Sequence, residues 1–282
     1  MKKLDILTAI LVSLVWGSNF IAIKMTVIEI PGLLTLAIRF LLTSQILLPF
    51  TSKPKIKFIT LYKISLVFGI LYMGMLYYGM HLGLNTNLTI ILMQSNIPIS
   101  VVIAKLFLKE NVSLKSLIGI GVAFSGMLVV VGTPLLTGNI LAAVSITFSA
   151  IFYAVFNIQS RQFKEIPALS LLCWSCLIST PYLFLLSYFI DGSPLELIKE
   201  VSYIAWGAMA YSVIISGIFG ITAWIYLLQT YPVHKVLPFN LLVPFFGFSL
   251  SILVLKEIPC WHIILGGVIT LLGIAITQIK RS

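Results

Sequence analysis

Apolar runs stop and resume along this chain at regular intervals. They lie near 5–26, 33–50, 64–84, 88–107, 114–132, 139–158, 169–190, 204–228, 236–255 and 261–279. Each is long enough to cross a bilayer, which takes roughly 20 residues per helix. The pattern predicts an all-α integral membrane protein of ten transmembrane helices joined by short connections. No soluble domain fits in the residues that remain, so function is expected within the bilayer. Met1-Lys2-Lys3 ahead of an apolar run has the look of a secretory signal. That run is over-long, however, and lacks a small-x-small cleavage pattern before Pro31, which makes it a retained first helix.

The pattern also repeats. Leu108-Lys109-Glu110, followed by Gly119 and Gly126, returns as Leu255-Lys256-Glu257 with Gly266 and Gly273, at one shift of 147 positions (256 − 109, 273 − 126). Pro98 and Pro244 follow suit with one residue of slippage, and each has an amide four residues before it, Gln94 and Asn240. The Lys-Glu pairs follow the fourth and ninth predicted helices. Five spans separate them, an odd number, so equivalent residues emerge on opposite faces and the repeat is inverted. The expected units are residues 1–132 and 139–282, two inverted five-helix repeats (5+5) hinged at the uncharged loop 132–139. Glycines at seven-residue spacing on the fifth and tenth helices, with Gly121, Ser125 and Gly267 beside them, suit close helix packing in lipid.

Composition strengthens the membrane reading and narrows the chemistry. Hydrophobic residues make up 60% and charged ones 9%, with a mean hydropathy of +1.11. A soluble domain carries about 25% charged residues. The net charge of +10 raises nucleic acid as a partner, but the cations fall in membrane loops. With the N-terminus inside, 14 Lys and Arg lie in cytoplasmic segments against 3 outside (Lys24, Lys199, Lys256), and Arg39 sits within the second span. The positive-inside bias therefore places both termini in the cytoplasm. The expected partners are the lipid bilayer and a small-molecule substrate, with no nucleic acid. Every helix pattern accepts a monomer or a homodimer. Cys173, Cys176 and Cys260 suggest neither a disulfide framework nor a metal site.

Polar side chains in hydrocarbon are costly unless they face protein or water, so within spans they point to a cavity. The first helix offers Trp16 and Asn19 on one face, with Lys24 able to snorkel outward. In the second, Arg39 can meet a substrate carboxylate, or pair with Glu29 or a helix end. The third carries Tyr77, Tyr78 and His81. The fourth has the densest cluster, Gln94, Ser95, Asn96 and Pro98. Because Pro98 frees a carbonyl one turn earlier, a local irregularity is expected near Gln94. Tyr153 and Asn157 on the sixth helix, preceded by Ser145 and Ser149, and Trp224 on the eighth, preceded by Ser212 and Ser216, extend the set. Asn240 mirrors Gln94. The candidate substrate-binding residues are thus Trp16, Asn19, Arg39, Tyr78, His81, Gln94, Asn96, Tyr153, Asn157, Trp224 and Asn240.

Trp16-Gly17-Ser18-Asn19-Phe20 resembles the Trp-Gly-x-Asn-Phe signature of the drug/metabolite transporter superfamily, and Arg39-Phe40 fits it as well. Asn240-Leu241-Leu242-Val243-Pro244, then Leu255-Lys256-Glu257 and a glycine-rich last helix, look like the paired repeats of its EamA-type exporters. Leu172-Cys173-Trp174-Ser175 and Ile190-Asp191-Gly192-Ser193 are similar to bacterial exporters of cysteine-pathway metabolites and other amino acids. The resemblance implies the 5+5 inverted fold and a cavity lined by helices one, three, four, six, eight and nine. It also implies export by alternating access across the bacterial cytoplasmic (inner) membrane. Two departures put the substrate in doubt: Phe148-Ser149-Ala150 lacks a tryptophan that some relatives place nearby, and His81 is unusual at its position.

All eight acids (Asp5, Glu29, Glu110, Glu165, Asp191, Glu196, Glu200, Glu257) lie at span ends or in loops. A cationic drug would find no counter-charge, whereas Lys24 and Arg39 favour an anion or a zwitterion. The expected function is export of small metabolites, amino acids or related zwitterions. The rival readings are a lipid-carrier flippase or nucleotide-sugar carrier of the same fold, and multidrug efflux. His81 is the one obvious titratable group for proton coupling, and facilitated export without coupling is equally compatible. No His-Glu-x-x-His, Gly-x-Ser-x-Gly or intramembrane aspartate pair occurs, so neither an enzyme nor a cofactor or metal is expected.

Overall fold

A computed structural model describes residues 1–108, 114–131, 139–231, 233–256 and 258–278. Among these residues the chain is helical throughout, without strands. The main helices are α1 (Lys3–Val27), α2 (Gly32–Phe50), α3 (Phe58–His81), α4 (Thr86–Met93), α5 (Asn96–Leu108) and α6 (Leu114–Val131). They continue as α7 (Ile140–Gln162), α8 (Ala168–Asp191), α9 (Tyr203–Thr230), α10 (Phe239–Leu255) and α11 (Trp261–Gln278). Six of them, α1, α2, α3, α7, α8 and α9, are long and apolar enough to span a membrane, and two shorter apolar helices are Phe239–Leu255 and Trp261–Gly273. The predicted run at 88–107 is not one helix but the pair α4 and α5. Glu110, Glu257, Lys109, most of the 132–139 loop and the C-terminal basic pair lie outside the described residues.

Local sequence sets these boundaries. The Asn85 side chain accepts hydrogen bonds from the Asn87 and Leu88 amides at 3.0 and 3.3 Å, capping α4. α4 ends at Met93, five residues before Pro98, which has no N–H to offer. The Ile97 amide instead reaches the Gln94 carbonyl at 3.0 Å in a tight 3₁₀ turn. The second half does the same: a 3₁₀ stretch, Leu237–Leu241, holds Asn240 four residues before Pro244.

Wider turns also recur. π-helical stretches run over Leu66–Gly74 in α3 and Ser212–Ile221 in α9, and the 147 shift carries the first onto 213–221 within the second. Such backbone survives in a membrane when neighbours satisfy the displaced carbonyls. Ser149 and Ser145 of α7 donate to the Tyr72 and Met75 carbonyls, both at 2.7 Å. Ser179 of α8 donates to the Ser65 carbonyl at 2.9 Å. Ser13 of α1 likewise donates to the Phe239 carbonyl at 2.7 Å, within the 3₁₀ stretch Leu237–Leu241.

The glycines of α6 and α11 meet one another. A Cβ on Gly126 would lie 2.5 Å from the Thr270 nitrogen and 2.6 Å from the Gly266 oxygen. One on Gly273 would lie 2.3 Å from the Ala123 nitrogen and 2.7 Å from the Gly119 oxygen. Gly119 with Gly266, Ala123 with Thr270 and Gly126 with Gly273 are repeat partners, so the crossing is self-complementary. Residue numbers rise on one helix as they fall on the other, so α6 and α11 cross antiparallel. The Thr270 hydroxyl donates to the Ala123 carbonyl at 3.4 Å, between two residues that are themselves repeat equivalents.

Helices α1 and α9 are tied at both ends. Glu29, just beyond α1, accepts from the Ser202 amide and hydroxyl, each at 2.6 Å, while the same hydroxyl oxygen caps α9 by accepting from the Ala205 amide at 3.2 Å. The Ser202 hydroxyl and amide together hold the Glu29 carboxyl below its ordinary range. At the opposite end Tyr231 donates to Asp5 at 2.5 Å, and this bond pushes the phenol upward. Arg161 donates to the Gln229 and Leu228 carbonyls at the C-terminal end of α9, at 2.7 and 3.3 Å.

Candidate functional site

The irregular segments surround one central cavity. The 3₁₀ turns supply Gln94 and Asn240, the π stretches supply Tyr72, Met73 and Ser216, and α1 and α7 add Trp16, Asn19 and Tyr153. Phe20, Ile23, Leu76, Met93 and Val243 give it an apolar body. The space these residues enclose amounts to about 50 Å³. The cavity is therefore narrow, with room for a few water molecules.

One wall is aromatic. Tyr72 and Tyr153 stack with ring centres 4.6 Å apart, and Trp16 meets Tyr153 edge-on at 6.1 Å. Trp224 lies behind Trp16 at 5.1 Å and is fully buried. Its indole N–H donates to the Asn157 side-chain oxygen Oδ1 at 3.1 Å, which fixes the second layer of the wall. Pairs of this kind contribute about 0.5–1.5 kcal/mol each beyond their burial.

The amides form a second group. Gln94, Asn96 and Asn240 are almost wholly buried, at 3%, 2% and 2% exposure. Asn96 donates through its amide nitrogen to the Met93 carbonyl at 2.5 Å, and Asn240 donates to the Tyr153 hydroxyl at 3.4 Å. Among the described residues, the side-chain oxygens of all three have no hydrogen-bond partner.

Arg39 forms the third. Buried to 1% exposure on α2, it donates to the Tyr77 hydroxyl at 2.7 Å and reaches the Ser216 hydroxyl at 3.5 Å. Ser216 itself lines the cavity. Among the described residues no acid pairs with this guanidinium. The Glu29 partnership considered from sequence is not made, because Ser202 occupies that carboxylate. Asn19 accepts from Ser212 at 2.8 Å on the same π stretch of α9.

Of the predicted set, Trp16, Asn19, Gln94, Asn96, Tyr153 and Asn240 are brought to the cavity. Arg39 stands one hydroxyl behind it, and Trp224 and Asn157 stand behind its aromatic wall. Tyr78 and His81 are not among the lining residues. Tyr78 packs against the core from a half-buried position, and His81 Nδ1 lies 3.0 Å from the Val27 carbonyl at the end of α3. Tyr77 turns inward instead. Tyr72 and Met73 are not named by the sequence reading, and Tyr77 and Ser216, noted there as polar positions within spans, are not among its candidate binding residues. For Tyr72, Tyr77 and Ser216 the signal is an aromatic or hydroxyl group within an otherwise apolar run, while Met73 carries none, and the π turns set which of them face inward.

Known proteins offer three comparisons. The EamA-like transporter family model matches residues 3–132 and 137–279. A relative named "Probable amino-acid metabolite efflux pump" from Escherichia coli K12 is 26% identical over 284 residues, covering 98% of this chain and 95% of its own. Its namesake from Salmonella typhimurium is 27% identical over 286 residues with the same coverage. One solved crystal structure superposes with a TM-score of 0.71 over 98% of this chain and 96% of its own, at 14% identity, a likeness of fold alone.

Proposed function

The chain belongs to the EamA-like transporter family, and from that premise we propose that it exports amino acids or related zwitterionic metabolites across the bacterial cytoplasmic membrane. Export proceeds by alternating access between two inverted five-helix halves, with both termini in the cytoplasm. The relatives named as amino-acid metabolite efflux pumps support the solute class. Antiparallel contact between repeat-equivalent glycines on α6 and α11 supports the inversion.

One observation carries the reading. Arg39 is buried beside the cavity with hydroxyls, and no carboxylate, as its partners among the described residues. Burying a cation without a counter-charge costs several kcal/mol. A solute carboxylate arriving at Ser216 lowers that cost and gains charge-assisted hydrogen bonds from the guanidinium. The narrow, apolar-bodied cavity suits a small solute better than a nucleotide sugar or a polyisoprenoid headgroup.

Efflux from living cells provides the test. Cells overproducing the protein, loaded with amino acids as dipeptides, should release at least one amino acid several-fold faster than cells lacking it. They should also grow at otherwise inhibitory concentrations of that solute. Unaltered release of every amino acid and thiol metabolite tried would overturn the proposal.

A further inference from the structure

The three orphaned oxygens are the least explained polar groups in the cavity. Gln94 Oε1, Asn96 Oδ1 and Asn240 Oδ1 are acceptors, buried, lining one space, and reached by no donor among the described residues. The Asn96 nitrogen is committed to the Met93 carbonyl, an acceptor only, which leaves its oxygen as the free end, and the Asn240 nitrogen faces the Tyr153 hydroxyl. The 3₁₀ turns ahead of Pro98 and Pro244 bring in Gln94 and Asn240 as repeat partners, and Asn96 breaks the symmetry, since Leu242 stands at its mirror position.

A buried acceptor left unpaired is costly, and three around one space call for a ligand rich in donors. A primary ammonium has three N–H donors and no acceptor, whereas a hydroxyl has one donor. Tyr72, Tyr153 and Trp16 line the same cavity, and aromatic rings attract a cation. We propose that Gln94, Asn96 and Asn240 bind the primary ammonium group of the transported solute through these three oxygens, while its carboxylate lies toward Ser216 and Arg39. The assignment rests on the zwitterion reading above and gives it a direction within the cavity. Neutral amide oxygens, rather than carboxylates, hold the cation strongly enough to select it and weakly enough to release it.

Calorimetric titration of the purified full-length protein with three probes separates the possibilities. L-leucine has both groups, 3-methylbutylamine only the ammonium, and 4-methylpentanoate only the carboxylate. The wild type should bind leucine best and the amine measurably. Asn96→Leu should weaken leucine and the amine by about tenfold each and leave the acid unchanged, the size expected for one hydrogen bond to a charged group. Gln94→Glu, which keeps the shape and adds a negative charge, should tighten the amine by about tenfold and so guards against loss of fold as the explanation. Acid binding as tight as leucine in the wild type, or equal effects of both substitutions on all three probes, would overturn the ammonium site while leaving Arg39's role standing. Binding of the amine without leucine would sustain the ammonium site and remove the amino-acid reading. Binding of none of the three would overturn both.

Discussion

Arg39→Gln should lower kcat/KM for the exported solute by at least about a hundredfold, some 2.7 kcal/mol of lost stabilisation, without lowering the stability of the protein. These two outcomes belong together. If the guanidinium existed to hold α2, α3 and α9 together, removing it would abandon its bonds to Tyr77 and Ser216 and loosen the fold. If it waits for a carboxylate, the empty protein carries an uncompensated buried charge, and neutralising it leaves stability unchanged or raises it. Arg39→Lys keeps the charge but loses the planar fork that matches a carboxylate, so it should recover only part of the activity. Transport assays in proteoliposomes, paired with thermal unfolding, check both. Full transport by Arg39→Gln would remove the carboxylate site, and a large fall in melting temperature would make the residue structural.

The second large effect is on assembly. Gly126→Leu or Gly273→Leu should abolish accumulation of folded protein. The first Cβ alone meets backbone atoms at 2.5 and 2.6 Å, or at 2.3 and 2.7 Å, and backbone cannot swing aside as a side chain can. Overpacking of even a methylene costs about 1–3 kcal/mol in a well-packed core, so Gly126→Ala should already lower the melting temperature. Gly121 lies on the same helix with nothing within 4 Å of a Cβ, and Gly121→Ala should behave as wild type. Size-exclusion profiles of the three proteins, with their unfolding curves, give the comparison. Equal stability of Gly126→Ala and Gly121→Ala would show that the crossing of α6 and α11 is looser than described.

Much of this is legible in the sequence. Apolar run lengths placed the long helices, because lipid leaves few alternatives to a regular helix. The repeat placed the two amide-proline segments, since proline's missing N–H acts locally and is visible in sequence. What escaped was rotational register. Tyr77 and Tyr78 are neighbours about 100° apart on a regular helix, and the π stretch at Leu66–Gly74 widens the turns before them. An apolar run with no polar stripe gives no sign of such a stretch, so the inward Tyr77 could not be told from Tyr78, and Tyr72 went unnoticed. Ser216 is visible as a polar position on α9, but the π stretch there hides that it faces the cavity. The serines that sustain the widened turns, Ser145 and Ser149, were visible as polar residues, but their partners are backbone carbonyls that no side-chain pattern reveals.

The account depends most on two halves inserted in opposite senses. Lys115 and His262 are repeat equivalents near the starts of α6 and α11. With Cys173, Cys176 and Cys260 replaced by serine, Lys115→Cys and His262→Cys can each be challenged with an impermeant thiol reagent in right-side-out and inverted vesicles. The account predicts that position 262 reacts from the outside and position 115 only from the cytoplasmic side. Reaction of both from the same face would contradict it.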